Sequence, residues 1–183
     1  MTTQTDRPHT ALVVIDLQND VVAQAYRRDE VLGRVRALVG RARQARVPVV
    51  WVRHGDDELK AGSHAWQIVP ELVPAQGEPI VEKSYRDAFE GTDMEQVLAR
   101  LGVGKLIVTG AQTDMCVRST LHGAFARGYD AVLVGDAHTT IDRTHKDVPS
   151  PQGVIDHTNM YWSNQRAPGR SGGVVQSKDI DFA

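Results

Sequence analysis

The sequence predicts an α/β fold in which a parallel sheet carries helices on both faces. Short, almost wholly apolar runs recur along the 183 residues, as strands buried on both sides require. Segments with a helical period or helix-end signals lie between most of them. Parallel neighbours need such crossovers, so the alternation argues for one doubly covered sheet rather than a sandwich or a bundle.

The first strand is Ala11-Leu-Val-Val-Ile-Asp16, an apolar run ending on a carboxylate. Asp29 is placed to cap a helix reaching about Arg46, because Val31, Leu32, Val35, Leu38, Val39 and Ala42 share one arc at 100° per residue. Arg34 and Arg41 flank that arc on one side, Arg36 and Arg43 on the other. They read as a solvated face whose stems cover the core edge rather than as a binding patch. Pro48-Val-Val-Trp-Val52 is the second strand, and the aperiodic stretch from Gly55 to Glu78 has the length of a functional loop. Pro79-Ile-Val-Glu-Lys83 is the third strand. Thr92-x-x-Glu95 has capping-box spacing for a helix through Leu101 that Gly102 stops. Lys105-Leu-Ile-Val-Thr109 is the fourth strand, followed by a helix from about Met115 to Arg127 and a stop at Gly128. Ala131-Val-Leu-Val134 is the fifth strand. Ser150-Pro151 has the cap-then-proline order of a helix start, with the helix continuing to about Gln165. Gly173-Val-Val-Gln176 supplies a last strand. No repeat or linker interrupts the chain, so residues 1–183 are expected to form a single domain.

Composition narrows the function. Hydrophobic residues at 41% and charged residues at 24% are ordinary for a globular chain. Lys plus Arg total 21 against 23 Asp plus Glu, a net −2 that offers no excess for a nucleic acid. The apolar runs are strand-sized and too short for a membrane span, and Met1 to Thr10 lacks the apolar core of a signal peptide. The one cysteine, Cys116, excludes an intrachain disulfide and a thiolate-rich zinc site. A soluble, cytoplasmic protein is expected, with a thiol that needs an account.

In doubly covered parallel sheets chemistry gathers beyond the carboxyl ends of the strands. That rule singles out Asp16, His54, Lys83, the segment Gly110 to Cys116, and Asp136. Cys116 falls just inside a predicted helix start, where free N–H groups and the helix dipole favour a thiolate and lower the thiol pKa. The plainer alternative is an inert buried cysteine. Asp16 is suited to act as general base and then as acid, or merely to cap backbone N–H groups. Lys83 is suited to hold a thiolate–carboxylate pair in its charged state, or is an ordinary surface lysine.

Three motifs resemble the isochorismatase-like cysteine hydrolase superfamily: Val-Ile-Asp16-Leu-Gln-Asn-Asp20, Val-Glu-Lys83-Ser-Tyr-Arg-Asp-Ala-Phe-Glu-Gly-Thr92 and Gly110-Ala-Gln-Thr-Asp-Met-Cys116-Val. The resemblance runs from about His9 to Val175. It implies a three-layer α/β/α Rossmann-like fold with a six-stranded parallel sheet in the order 3-2-1-4-5-6. It implies an Asp16–Lys83–Cys116 triad that hydrolyses amide-type C–N bonds, with a non-proline cis peptide at Ala111–Gln112. The oxyanion site is then expected at the backbone N–H groups of Gln112 and Cys116. Asp20, His54, Trp66, Tyr85, Phe89 and Thr113 are the candidate substrate-binding residues, with core packing the alternative for the aromatic ones. The segment Gly62 to Pro70, holding Trp66, resembles a loop that covers the site. Phrases at Ser119–Ala124, His157–Trp162 and Asp181-Phe182 resemble the branch that includes streptothricin hydrolase, which opens a cyclic amide.

Departures from the family pattern matter. Isochorismatases proper act on a vinyl ether and lack a cysteine at this place, so Cys116 points to amide chemistry. The Asp-x-His metal motif of nicotinamidases is broken here to Trp51-Val-Arg-His54-Gly-Asp56, so no metal and no other cofactor is expected. Asp136-Ala-His138 keeps that order but follows the fifth strand and reads as a strand-end turn. The expected partner is a small amide substrate, and the resemblance implies a homo-oligomer. Two other functions stay open: a zinc-assisted nicotinamidase-type amidase, and a binding protein on the same fold with an inactive triad.

Overall fold

The structure, a computed structural model, describes residues 2–182. The apolar runs become strands β1 (His9–Ile15), β2 (Val49–His54), β3 (Ile80–Lys83), β4 (Val103–Ala111) and β5 (Asp130–Thr139). Near the C-terminus, β6 (Arg166–Ala167) and β7 (Arg170–Val175) complete one sheet in the order β3-β2-β1-β4-β5-β7-β6. Every pairing is parallel except β6 with β7. The expected order of six parallel strands is therefore present, and the two-residue β6 is an addition at its edge. Ala167-Pro168-Gly169-Arg170 makes that hairpin, a segment too short to carry an apolar pattern.

Alternation along β1 divides the core. Ala11, Val13 and Ile15 face one buried cluster, Leu12 and Val14 the other. Helix α1 (Arg28–Gln44) covers the second face with the arc of Val31, Leu32, Val35, Leu38, Val39 and Ala42. Helices α2 (Met94–Arg100), α3 (Arg118–Ala126) and α4 (Pro151–Trp162) cover the first, where Leu98, Leu121 and Trp162 are buried.

Helix ends depart from expectation in three places. Helix α1 starts one residue before Asp29, behind Arg27 in a left-handed conformation, and Asp29 pairs with Arg28 instead of capping. The capping box at Thr92 does not form, because the Glu95 carboxylate turns to Arg7 (2.7 Å) and accepts from the Tyr129 hydroxyl (2.9 Å). The cysteine-bearing segment begins not as an α-helix but as a π-helical turn, Thr113–Val117, that runs into α3. At α4 the expectation holds: the Ser150 hydroxyl accepts the Gly153 N–H at 3.2 Å and Pro151 opens the helix. Among the described residues no helix is long and apolar enough to cross a membrane.

Candidate active site

Strand order decides what meets at the carboxyl edge. With β3, β2, β1 and β4 side by side, their ends present Lys83, His54, Asp16 and the Ala111–Gln112 peptide in succession. That peptide is cis. Asp16 leaves β1 with φ +48°, a left-handed conformation, while its N–H donates to the Val52 carbonyl at 3.0 Å. Lys83 is the last residue of β3, in register with His54. Cys116 comes from the π-helical turn just beyond β4.

The three motif residues converge. Lys83 Nζ lies 2.7 Å from Asp16 Oδ2 and donates to Cys116 Sγ at 3.2 Å. The side chains of Lys83 and Asp16 are 0% and 1% exposed, so this is a buried ion pair with the sulfur at its edge. Burial raises the Asp16 carboxyl above the usual range, against the pull of the Lys83 ammonium and a hydrogen bond with the thiol. The Cys116 thiol is pushed up to about 12, first by burial and then by the Asp16 charge, with Lys83 acting the other way. The expectation of a lowered thiol pKa is corrected here: removal from water and a neighbouring carboxylate outweigh the favourable backbone and ammonium. The resting sulfur is therefore a thiol, set beside the Asp16 carboxyl and the Lys83 ammonium.

A cleft of about 530 Å³ opens above these groups, lined by Asp16, Val21, His54, Asp56, Glu58, Ser84, Tyr85, Arg86, Gln112, Met115, Cys116 and Arg143. Of the candidate binding residues, His54 and the exposed Tyr85 line it. The others do not. Asp20 is exposed on the loop after β1, where its N–H donates to the Ala65 carbonyl at 3.1 Å. Trp66 packs its ring against the Arg53 guanidinium, 3.3 Å from the ring centroid. Phe89 is buried against Tyr129, with centroids 5.7 Å apart, and belongs to the core. Thr113 is fully buried and turns its hydroxyl to His138 Nδ1 at 2.9 Å.

Arg143 escaped sequence reasoning. Its guanidinium donates to the Gln112 side-chain oxygen and lies 3.5 Å from Asp114, while the Gln112 amide reaches back to the Val21 carbonyl at 3.2 Å. Its signal is its place beyond the end of β5, masked in the sequence because the apolar run stops at Val134 while the strand continues to Thr139. Asp136 and His138 accordingly lie inside β5 rather than in a turn. Asp136 accepts from the Ser177 N–H and hydroxyl at 2.7 and 2.8 Å. His138 is buried, bridges Thr113 and Asn159, and has its pKa lowered to about 4 by burial.

The residues on which a metal reading rests, His54 and Asp56, hydrogen-bond each other at 2.9 Å, and the second ring nitrogen of His54 meets Lys83. Among the described residues no three His, Cys, Asp or Glu side chains converge to form a metal-binding group. This donor set does not fit a zinc ion.

Comparison with known proteins agrees with the fold. The isochorismatase domain family matches residues 10–148. Streptothricin hydrolase of Streptomyces noursei is 32% identical over 176 residues, which cover 93% of this chain and 68% of that protein. Ureidoacrylate amidohydrolase of Enterobacter sp. (strain 638) is 27% identical over 171 residues, 70% of this chain and 74% of the relative. The crystal structure of an isochorismatase from Pseudomonas putida KT2440 superimposes with a TM-score of 0.85 at 27% identity, covering 94% of this chain and 90% of the other. With the domain match spanning most of its length and a 32% identical relative aligned over 93% of this chain, the chain belongs to the isochorismatase family of hydrolases.

Proposed function

We propose that the protein hydrolyses an amide-type C–N bond of a small molecule through Cys116, by way of a thioester acyl-enzyme and without a metal. The observation that carries this reading is the buried contact of Lys83 with both Asp16 (2.7 Å) and Cys116 (3.2 Å) at the floor of the cleft. Names of relatives support the reaction class: one is a hydrolase and another an amidohydrolase.

The raised thiol pKa shapes the sequence of steps. No standing thiolate is needed. As the substrate carbonyl arrives, Asp16 takes the Cys116 proton and the sulfur bonds to the carbonyl carbon. The backbone N–H groups of Gln112 and Cys116 receive the oxyanion. The tetrahedral adduct collapses with cleavage of the C–N bond, and Asp16 returns its proton to the departing amine. Water, deprotonated by the same carboxylate, then attacks the thioester, releasing an acid and restoring the thiol. Lys83 keeps charge balanced as the negative charge moves between oxygen and sulfur.

Small cyclic or carbamoyl-bearing amides are the substrate class to try, with release of ammonia or a primary amine as the readout. Turnover of an active amide by the wild type and none by Cys116→Ala is the expected result. A Cys116→Ala protein that still turns over that amide would overturn the reading.

A further inference from the structure

Lys83 has three ammonium hydrogens and three acceptors around them. Asp16 Oδ2 lies at 2.7 Å and Cys116 Sγ at 3.2 Å; the third acceptor is His54 Nδ1, also at 3.2 Å. An ammonium only donates, so Nδ1 is the bare ring nitrogen and Nε2 carries the proton. That proton faces Asp56 Oδ2 at 2.9 Å. The other Asp56 oxygen accepts the Leu59 and Glu58 N–H groups at 2.7 and 2.9 Å. The loop after β2 thus sets the tautomer of His54, and the tautomer sets which ring edge meets Lys83. Because the Lys83 side chain is 0% exposed, water does not stand in for a lost acceptor. A donor left unmade there weakens the cation that Asp16 and Cys116 share.

We propose that His54 is a positioning residue of the triad: its Nδ1 lone pair holds the third hydrogen of Lys83, and Asp56 holds the ring in the tautomer that keeps that lone pair free. Neither residue acts on substrate in this role. The proposal rests on the reading of Cys116 as nucleophile, since forming the thiolate is the event it serves. The charged groups facing His54 are Lys83 from β3, Asp16 from the end of β1, and Asp56 from its own loop.

The test is the rate of Cys116 alkylation by iodoacetamide from pH 7 to 10, in the wild type and in His54→Leu, His54→Asn, His54→Gln and Asp56→Ala. Thermal unfolding of each protein serves as the folding control. No amide is involved, so an error about the substrate leaves this experiment standing. Asn places its side-chain oxygen where Nδ1 stood; Gln places its polar end where Nε2 stood. His54→Leu should slow alkylation about tenfold at each pH, the value of one lost hydrogen bond to a charged group. His54→Asn should recover most of that loss, His54→Gln little of it, and Asp56→Ala should fall between Leu and wild type. A His54→Leu profile lying on that of the wild type overturns the proposal. So does rescue by Gln in place of Asn, which would assign the Nε2 edge to other work, or equal failure of both amides. If the His54 variants do not fold, the exposed Asp56 decides: an unchanged Asp56→Ala profile overturns it.

Discussion

Asp16 carries an unusual combination: a left-handed backbone, φ +48°, and a buried carboxylate against an ammonium. Asn tolerates that backbone nearly as well as Asp, so Asp16→Asn removes the proposed base while keeping the local shape. Two opposite effects are expected. Turnover should fall by roughly a thousandfold, in the range of general acid–base contributions. Alkylation of Cys116 should meanwhile quicken, because the Asp16 charge is one of the causes raising the thiol. Measuring both in one preparation separates lost proton transfer from a damaged site. The meeting of Asp16, Lys83 and Cys116 was legible because each ends a strand or follows one closely and sits in a family motif. The ionisation state of the sulfur was not, since burial by residues distant in sequence decides it. Tyr85 and Phe89 show the same limit: four residues apart after Lys83, one faces the cleft and the other the core. Nothing local to the chain distinguishes them.

At the scale of elements, a close backbone approach lies where β4 passes the end of β1. Gly110 pairs with Ile15 and has φ +126°. A Cβ there would meet the Ile15 carbonyl oxygen at 2.1 Å and its nitrogen at 2.7 Å, both backbone atoms with no freedom to move aside. Gly110→Ala is therefore expected to cost about 3 kcal/mol or more, from the backbone conformation and the overlap together. Urea denaturation gives the number, and Asp16, one residue beyond the collision, should be displaced from its ion pair with Lys83. Strands were the legible elements, since burial on both faces writes itself into composition. Helix starts were less so. Thr92 and Glu95 have the spacing of a capping box, yet Glu95 is drawn to Arg7 and Tyr129 by contacts that short-range patterns do not contain. The π-helical turn holding Cys116 has the composition of an α-helix, and nothing in its sequence sets the two apart.

For the whole molecule, acid is the informative stress. His138 is buried in its neutral form, with a pKa lowered to about 4 against an ordinary 6.5. Below the ordinary value the unfolded chain binds a proton that the fold refuses, so this share of stability is present above about pH 6.5 and drains away as pH falls toward 4. The gap of about 2.5 units is worth about 3 kcal/mol at 1.36 kcal/mol per unit. Urea midpoints for the wild type and His138→Gln, compared at pH 7 and pH 4, should show a steeper acid loss in the wild type. The layering and the strand order were legible, the first from alternating elements and the second through the family motifs, whereas a buried histidine looks the same in sequence as an exposed one. The sheet also has a rim. Lys83 rides on β3, four residues long, outermost in the order and with β2 as its one strand neighbour among the described residues. Fraying begins at such borders, while β1 and β4, in the middle, stay zipped. Warmth would then loosen the cation's berth before it melts anything central, leaving a folded but silent enzyme that regains its chemistry on cooling.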